Sequence, residues 1–318
     1  MNMYKVISLF SGVGGIDLAF EQTGNFKTIF ANEFDKNAAK TFNKNFDIKV
    51  NEKDIHALSA KELPDCDILL SGFPCQAFSV AGYRKGFEDD RGDLFFETLR
   101  VIKEKKPRIV FLENVKNLVS HDKGNTFKVI SEALESHGYY IKSQVLNAKE
   151  YGNIPQNRER IYIVGFLKEE EYIKFKFPEP QSLNKKISDV IDFDNKVDEK
   201  YYYTKEKVEF YPLLEEVITS EDTVYQWRRK YVRENKSNVV PTLTANMGTG
   251  GHNVPLIFTK HGIRKLTPRE CFNVQGFPKD FELPDIAISH LYKQAGNSVV
   301  VPVVKRIAEK IIIALEND

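Results

Sequence analysis

Between Lys5 and Phe166, short β-branched apolar runs alternate with longer stretches in which apolar residues recur every three or four positions. The runs cover 6–10, 28–31, 68–70, 109–112, 140–146 and 161–164, each short enough to be a buried strand. Helical spacing fills the intervals, for example Leu94–Lys105 and 127–137, the second closed by Gly138. This order predicts an α/β fold with a doubly wound, mostly parallel sheet. After Phe166 the pattern fades into charge runs and prolines, and from Pro178 to about Pro278 Gly, Asn, Thr and aromatics predict short strands and loops. Helical periodicity returns at 299–315, where Val303, Val304, Ile307, Ile311 and Leu315 share a broad face and Pro302 fits only the first turn. So wide a face needs a large partner, so the C-terminus is expected to return to the first domain. The expected division is 1–177 plus 283–318 for the larger domain and 178–282 for a strand- and loop-rich insertion.

Composition narrows the classes. The chain has 318 residues, a net charge of +1 and a pI near 7.6, so a nucleic-acid footprint must come from local clusters. Cys66, Cys75 and Cys271 are far apart with no Cys-x-x-Cys pair, which argues against disulfides or a zinc site and fits a reducing cytoplasm. No apolar stretch reaches the roughly 18 residues of a membrane span. No metal and no membrane partner are expected.

Phe10-Ser11-Gly12-Val13-Gly14-Gly15 follows the first strand and opens a helix, and Glu33 lies about 20 residues on, after the second. Glycines there admit a ligand to the backbone, and a carboxylate suits ribose hydroxyls. Asp17 stands where a dinucleotide fingerprint has its third glycine, so a nucleoside without phosphates fits better. S-adenosyl-L-methionine is such a nucleoside. Asp54 and Ile55, expected at the end of a third strand, suit an adenine with one amine to satisfy and one face to cover. Downstream, Gly72-Phe73-Pro74-Cys75-Gln76 holds a thiol in a rigid turn after an apolar strand, where α/β enzymes do their chemistry.

These motifs, with Glu113-Asn114-Val115, Gln156-Asn157-Arg158-Glu159-Arg160, the run from Arg264 to Glu270, and Gly296-Asn297-Ser298, stand in the order found in cytosine-C5 DNA methyltransferases, which the chain resembles from end to end. The resemblance implies the Rossmann-like fold of S-adenosylmethionine-dependent methyltransferases and methyl transfer to a flipped cytosine in double-stranded DNA. It implies Cys75 as the nucleophile that adds to carbon 6 and Glu113 as the contact to N3 and the exocyclic amine. Arg158 and Arg160 alternate before a strand, are expected on one face, and stand with Cys75 and Glu113 as the expected catalytic residues. The second arginine is implied to hold the cytosine carbonyl oxygen. Phe10, Gly12, Gly14, Gly15, Glu33, Asp54, Ile55, Pro74, Leu94, Asn297 and Ser298 are the implied cofactor side, with Asn297 also supporting the Cys75 loop. Cys66 and Cys271 are expected to be inert.

Residues 77–93 mix Gly82, Gly86 and Gly92 with Arg84, Lys85 and Arg91, a composition suited to a lid over DNA. Gln76 and Ser79 join these cations as expected DNA contacts. In the insertion, Arg228, Arg229 and Arg233 form the densest mix of cations and aromatics, and Thr242-Leu243 resembles the family's recognition dipeptide. The implied setting is a bacterial restriction-modification system, with a monomeric enzyme and a companion endonuclease as a separate chain. A tRNA cytosine methyltransferase of shared architecture is the alternative within the family. A nicotinamide oxidoreductase is disfavoured by Asp17, and a catalytically dead DNA-binding module by the presence of Cys75 and Glu113.

Overall fold

A computed structural model describes residues 3–74, 94–228, 230–249 and 254–316. They form two compact units, one of the described residues in 1–146, 159–179 and 303–318, the other of those in 147–158 and 180–302.

The first unit is built on a six-stranded sheet. Its strands are β1 (Tyr4–Leu9), β2 (Phe26–Asn32), β3 (Ile68–Ser71), β4 (Ile109–Val115), β5 (Tyr140–Asn147) and, after the short β6 (Gln156–Asn157) of the other unit, β7 (Glu159–Phe166). The order is β2-β1-β3-β4-β7-β5. β1, β2, β3 and β4 pair in parallel, whereas β7 runs antiparallel to β4. Helices α1 (Gly15–Glu21), α2 (Lys36–Asn45), α3 (Leu94–Lys105) and α4 (Asn125–Ser136) fall between strands. All four residues of β3 are buried, as expected of a central strand covered on both faces. The mostly parallel α/β sheet is thus the one the alternating pattern predicts. α5 (Ala148–Tyr151), α6 (Glu169–Lys174), α7 (Tyr211–Val217), α8 (Pro268–Val274) and α9 (Ile288–Asn297) precede the C-terminal α10 (Val301–Leu315). From Val303 onward α10 belongs to the first unit, where Val303, Val304, Ile307, Ala308 and Ile311 are buried.

The second unit carries β8 (Tyr225–Trp227), β9 (Val232–Glu234), β10 (Val240–Pro241), β11 (Leu256–Thr259) and β12 (Gly262–Lys265). A four-stranded sheet runs β12-β11-β8-β9, and β10 pairs with β6. Trp227 and Phe210 stack at 4.5 Å between centroids, in a small core with Tyr225, Leu214 and Ile263. Residues 147–158 and 283–302 lie with this unit rather than with the larger one, where the sequence pattern puts them. β6 is drawn there by pairing with β10, and Tyr292 of α9 donates to the Leu266 carbonyl. α7, with Pro212 in its first turn, lies in a segment whose composition predicts only strands and loops. Among the described residues no helix is long and apolar enough to cross a membrane.

Asp17 proves to be structural. It is fully buried on α1, accepting hydrogen bonds from Ser8 Oγ of β1 at 3.0 Å and Thr28 Oγ1 of β2 at 3.2 Å. Burial pushes its carboxyl up to about 7, against the lowering effect of those two hydroxyls. In an unfolded chain the group loses its proton near pH 3.9, so the folded state loses stability as pH rises from about 4 to about 7, and no further above that. Asp17→Asn keeps the shape and cannot ionise. Its stability relative to wild type is expected to rise across this window by about 2–4 kcal/mol, the order that linkage assigns to the gap between those two ionisations. Denaturant midpoints of both proteins at pH 5 and pH 8 check this, and a pH-independent difference contradicts it.

Candidate active site

The glycine turn is a backbone device. Beyond Leu9 the chain turns sharply, with Phe10 at φ 53° and Gly14 at φ 85°, the latter serving as N-cap of α1. A left-handed phenylalanine is costly and marks a turn held by its surroundings. Here the Ser11 amide and hydroxyl both donate to the Asn32 carbonyl, and the Gly12 amide donates to Glu33 Oε2 at 2.8 Å. The other carboxylate oxygen of Glu33 accepts from the Asp35 amide at 2.7 Å. Glu33 thereby binds the β1 turn to the end of β2. A Cβ built on Gly12 meets no atom within 4 Å, so the turn faces open space. Gly15 begins α1 and is buried.

Asp54 departs from expectation. No strand ends there; the segment contributes only the bridge Asn32↔Asn51, because residues 51–54 are polar throughout. Asp54 instead caps a short 3₁₀ turn, accepting from the His56 amide and ring, and that amide holds its carboxyl below the usual range. Ile55 is buried beside it. Phe34, next to Glu33, is 68% exposed and belongs to none of the sequence motifs.

At the carboxyl edge of the sheet, Leu9, Ser71 and Leu112 are register partners across β1, β3 and β4. The next residues, Phe10, Gly72 and Glu113, therefore come together. A Cβ on Gly72 would lie 3.9 Å from both the Phe10 carbonyl oxygen and Glu113 Oε2. Glu113 is an inner residue of β4 rather than its end, opposite Tyr162, with Arg160 diagonal to it. Arg160 Nε lies 3.2 Å from Glu113 Oε1. Asn114, buried, donates through Nδ2 to the Phe73 carbonyl at 2.9 Å and accepts the Val115 amide. It pins the strand-to-turn passage leading to the exposed Pro74. Cys75, Gln76, Ser79, Arg84, Lys85, Arg91 and the 77–93 lid lie outside the described residues, as does Arg229. Leu94, the first residue of α3, packs half-buried against the main core. Burial pushes the Cys66 thiol up to about 12 and Cys271 well above its ordinary value, which leaves both poor in thiolate. Among the described residues no group of three or more His, Cys, Asp or Glu could hold a metal ion.

In the second unit Arg158 does not continue the alternation of Arg160, because β7 begins one residue later, at Glu159. Its guanidinium donates to the carbonyls of Leu243, Gly296 and Ser298. Leu243, expected to touch DNA, is 1% exposed, and its carbonyl is held by Arg158; its side chain is core, which corrects that expectation. Thr242 is at the surface and donates to the Asn157 carbonyl. Asn297 is exposed at the end of α9, and Ser298 caps that helix. On the β8–β9 hairpin Tyr225 and Trp227 face the small core, while Gln226 pairs with Arg233 on the other face. Arg228, Lys230, Arg233 and Tyr231 are exposed around its tip.

The sequence pattern of the family described as C-5 cytosine-specific DNA methylase matches residues 4–313. The chain belongs to this family. The type II methyltransferase M.Bsp6I of Bacillus sp. (strain RFL6) is 68% identical over 310 residues, covering 97% of this chain and 98% of that one. M.HhaI of Haemophilus parahaemolyticus, also a type II methyltransferase, is 41% identical over 320 residues, covering 96% and 94%. Among solved structures, the Entamoeba histolytica methyltransferase EhMeth superposes with a TM-score of 0.74 at 22% identity over 100% of both chains. Spodoptera frugiperda DNMT2 gives 0.75 at 19%, covering 98% of this chain and 100% of that one. These two likenesses speak to the fold.

Asn114→Ala strips the Phe73 carbonyl of a buried donor, a loss of about 1–3 kcal/mol of local support. Single-turnover methyl transfer by this methylase variant is expected to slow at least tenfold with the cofactor KM nearly unchanged. An unchanged rate contradicts a role for Asn114 in setting the turn.

Proposed function

We propose that this DNA (cytosine-5-)-methyltransferase transfers methyl from S-adenosylmethionine to carbon 5 of a cytosine rotated out of a short duplex site, with Cys75 as nucleophile. The observation that carries the reading is the meeting of Phe10, Gly72 and Glu113 at one sheet edge, with Gly72 only three residues before Cys75 in sequence. The family fits this chemistry, since it is specific for carbon 5 of cytosine.

The residues present suit the cofactor. The open space beside Gly12, the amide-oriented carboxylate of Glu33 and the exposed ring of Phe34 form an apolar and polar pair suited to a nucleoside. Glu33 would take the ribose hydroxyls, Phe34 and Ile55 the adenine faces, and Asp54 its amine, with Gly14, Gly15, Pro74 and Leu94 as further contacts. Bound S-adenosylmethionine supplies an electrophilic methyl. The chain's own part is to make carbon 5 nucleophilic. The Cys75 thiolate bonds to carbon 6, the carbon 5–carbon 6 π electrons shift into the ring, and Glu113, entering in its acid form, gives its proton to N3, so that carbon 5 becomes the nucleophilic end of a neutral enamine. Once carbon 5 carries the methyl, its proton passes to water, the electrons of that C–H bond re-form the carbon 5–carbon 6 double bond and expel the sulfur as thiolate, and N3 returns its proton to Glu113. Arg160, braced by its ion pair with Glu113, would hold the carbonyl oxygen of the base. Extruding the base costs a few kcal/mol, to be offset by contacts with the rest of the duplex. Arg228 and Arg233 on the exposed hairpin are proposed among those contacts.

A relative 68% identical is named a type II methyltransferase, which supports the modification role in a restriction-modification system. In that role the enzyme would act as a monomer in the cytoplasm, with the endonuclease a separate chain. Genomic DNA from cells expressing the protein is expected to carry 5-methylcytosine at one short motif, and DNA from cells expressing Cys75→Ser is expected to carry none. Absence of 5-methylcytosine with wild-type protein, or label from the cofactor entering tRNA and not duplex DNA, overturns the reading. Separately, Arg228→Ala is expected to weaken duplex binding across sequences and to lower the salt slope by about 1 if the side chain meets phosphate. Loss of discrimination at a single base pair with the slope intact would instead assign it to base reading.

A further inference from the structure

We infer that Arg158 is a positioning residue rather than a substrate contact: a buried clamp that locks the Thr242-Leu243 recognition segment to the Gly296-Asn297-Ser298 corner. The inference deepens the proposed function and rests on it for the meaning of those two segments. Arg158 is 2% exposed, and its one fork reaches three carbonyls from two distant stretches, Leu243 at 2.8 Å, Gly296 at 3.0 Å and Ser298 at 2.6 Å. A planar five-donor fork can serve diverging acceptors at once, which a single ammonium on a flexible stem cannot do in a fixed geometry.

The packing around the clamp leaves no slack. A Cβ on Gly296 would stand 2.1 Å from the Thr244 carbonyl oxygen and 2.7 Å from the Ala245 amide, so α9 and the recognition segment touch backbone to backbone. The neighbouring Gln156 repeats the device with an amide. Its Nε2 donates to the Val274 carbonyl at 2.9 Å and Gln275 Oε1 at 3.0 Å, while its Oε1 accepts the Leu243 amide at 3.4 Å. Gln275 in turn donates to the Ala295 carbonyl at 2.6 Å. Buried polar groups arranged this way specify one geometry, because each carbonyl left without its donor carries a desolvation penalty. Recognition segment and helix corner are therefore held as a single piece, and a shift of one is transmitted to the other.

The clamp can be tested on the full chain in two ways. In the wild-type protein, hydrogen exchange at amides of 243–245 and of 294–298 is expected to share one opening free energy, because both stretches are released together. Independent opening of the two overturns the clamp, and this readout holds whether or not the protein methylates DNA. In Arg158→Lys, the cation remains and the fork is lost. Its kcat/KM on the mapped site is expected to fall at least tenfold, discrimination against duplexes changed at one base pair to relax with it, and the salt slope of binding to stay as in wild type. A lower kcat with discrimination intact would put Arg158 on the substrate and overturn the inference. If Arg158→Lys does not fold, Gly296→Ala, which wedges the same contact while keeping the arginine, is expected to relax discrimination likewise, and unaltered discrimination there overturns the clamp.

Discussion

The in-register parallel pairing of β1, β3 and β4 is the constraint on which the site depends. Leu9, Ser71 and Leu112 stand level with one another, so the residue after each of them is delivered to the same edge. Those three residues are a left-handed phenylalanine, a glycine and a glutamate. The central strand has every residue buried, so a one-residue slip would move its side chains to the wrong faces, and hydrophobic packing therefore sets the spacing of polar groups it never touches. Gly72 matters for the same reason: its position lies within van der Waals reach of both the Phe10 carbonyl and the Glu113 carboxylate.

Around that edge the polar groups are oriented by backbone more than by one another. Glu33 is aimed by two amides, Asn114 grips the carbonyl of Phe73, and Asp54 caps its own turn. Amides and carbonyls of strands and caps move little, so side chains tied to them are pre-organised, as a site that must stabilise developing charge requires. The second unit uses the same principle at longer range, with Arg158, Gln156 and Gln275 reaching carbonyls far apart in sequence. Its bidentate Arg264–Glu270 pair, buried and joined by the Thr267 amide and hydroxyl, fixes the start of α8 in a comparable way.

Strands are legible in the sequence wherever β-branched runs are long enough to be buried on both faces, as in β1, β3, β4 and β7. Residues 51–54 mislead because one bridge beside a turn leaves no apolar pattern, and α7 escapes notice because Pro212 looks like a loop marker although it sits in a helical first turn. The family motifs locate Glu113 and Arg160, and the sheet then accounts for their pairing. Periodicity cannot reveal that Arg158 leaves the alternation or that Leu243 is core, because both depend on contacts more than eighty residues away in sequence. In the sequence Asp17 is only a glycine missing from a fingerprint, whereas the fold makes it a buried carboxyl shared by two hydroxyls.

The central claim is that the sheet edge exists to bring a cysteine sulfur into transient bonding with a pyrimidine. The most direct measurement offers a duplex carrying 5-fluorocytosine at the mapped site together with S-adenosylmethionine, then digests the denatured protein and weighs its peptides. Fluorine cannot leave as the carbon 5 proton does, so the account predicts a stable adduct on the peptide containing Cys75 and on no other. A folded, cofactor-binding protein that forms no adduct, or one whose adduct maps to Cys66 or Cys271, would contradict it.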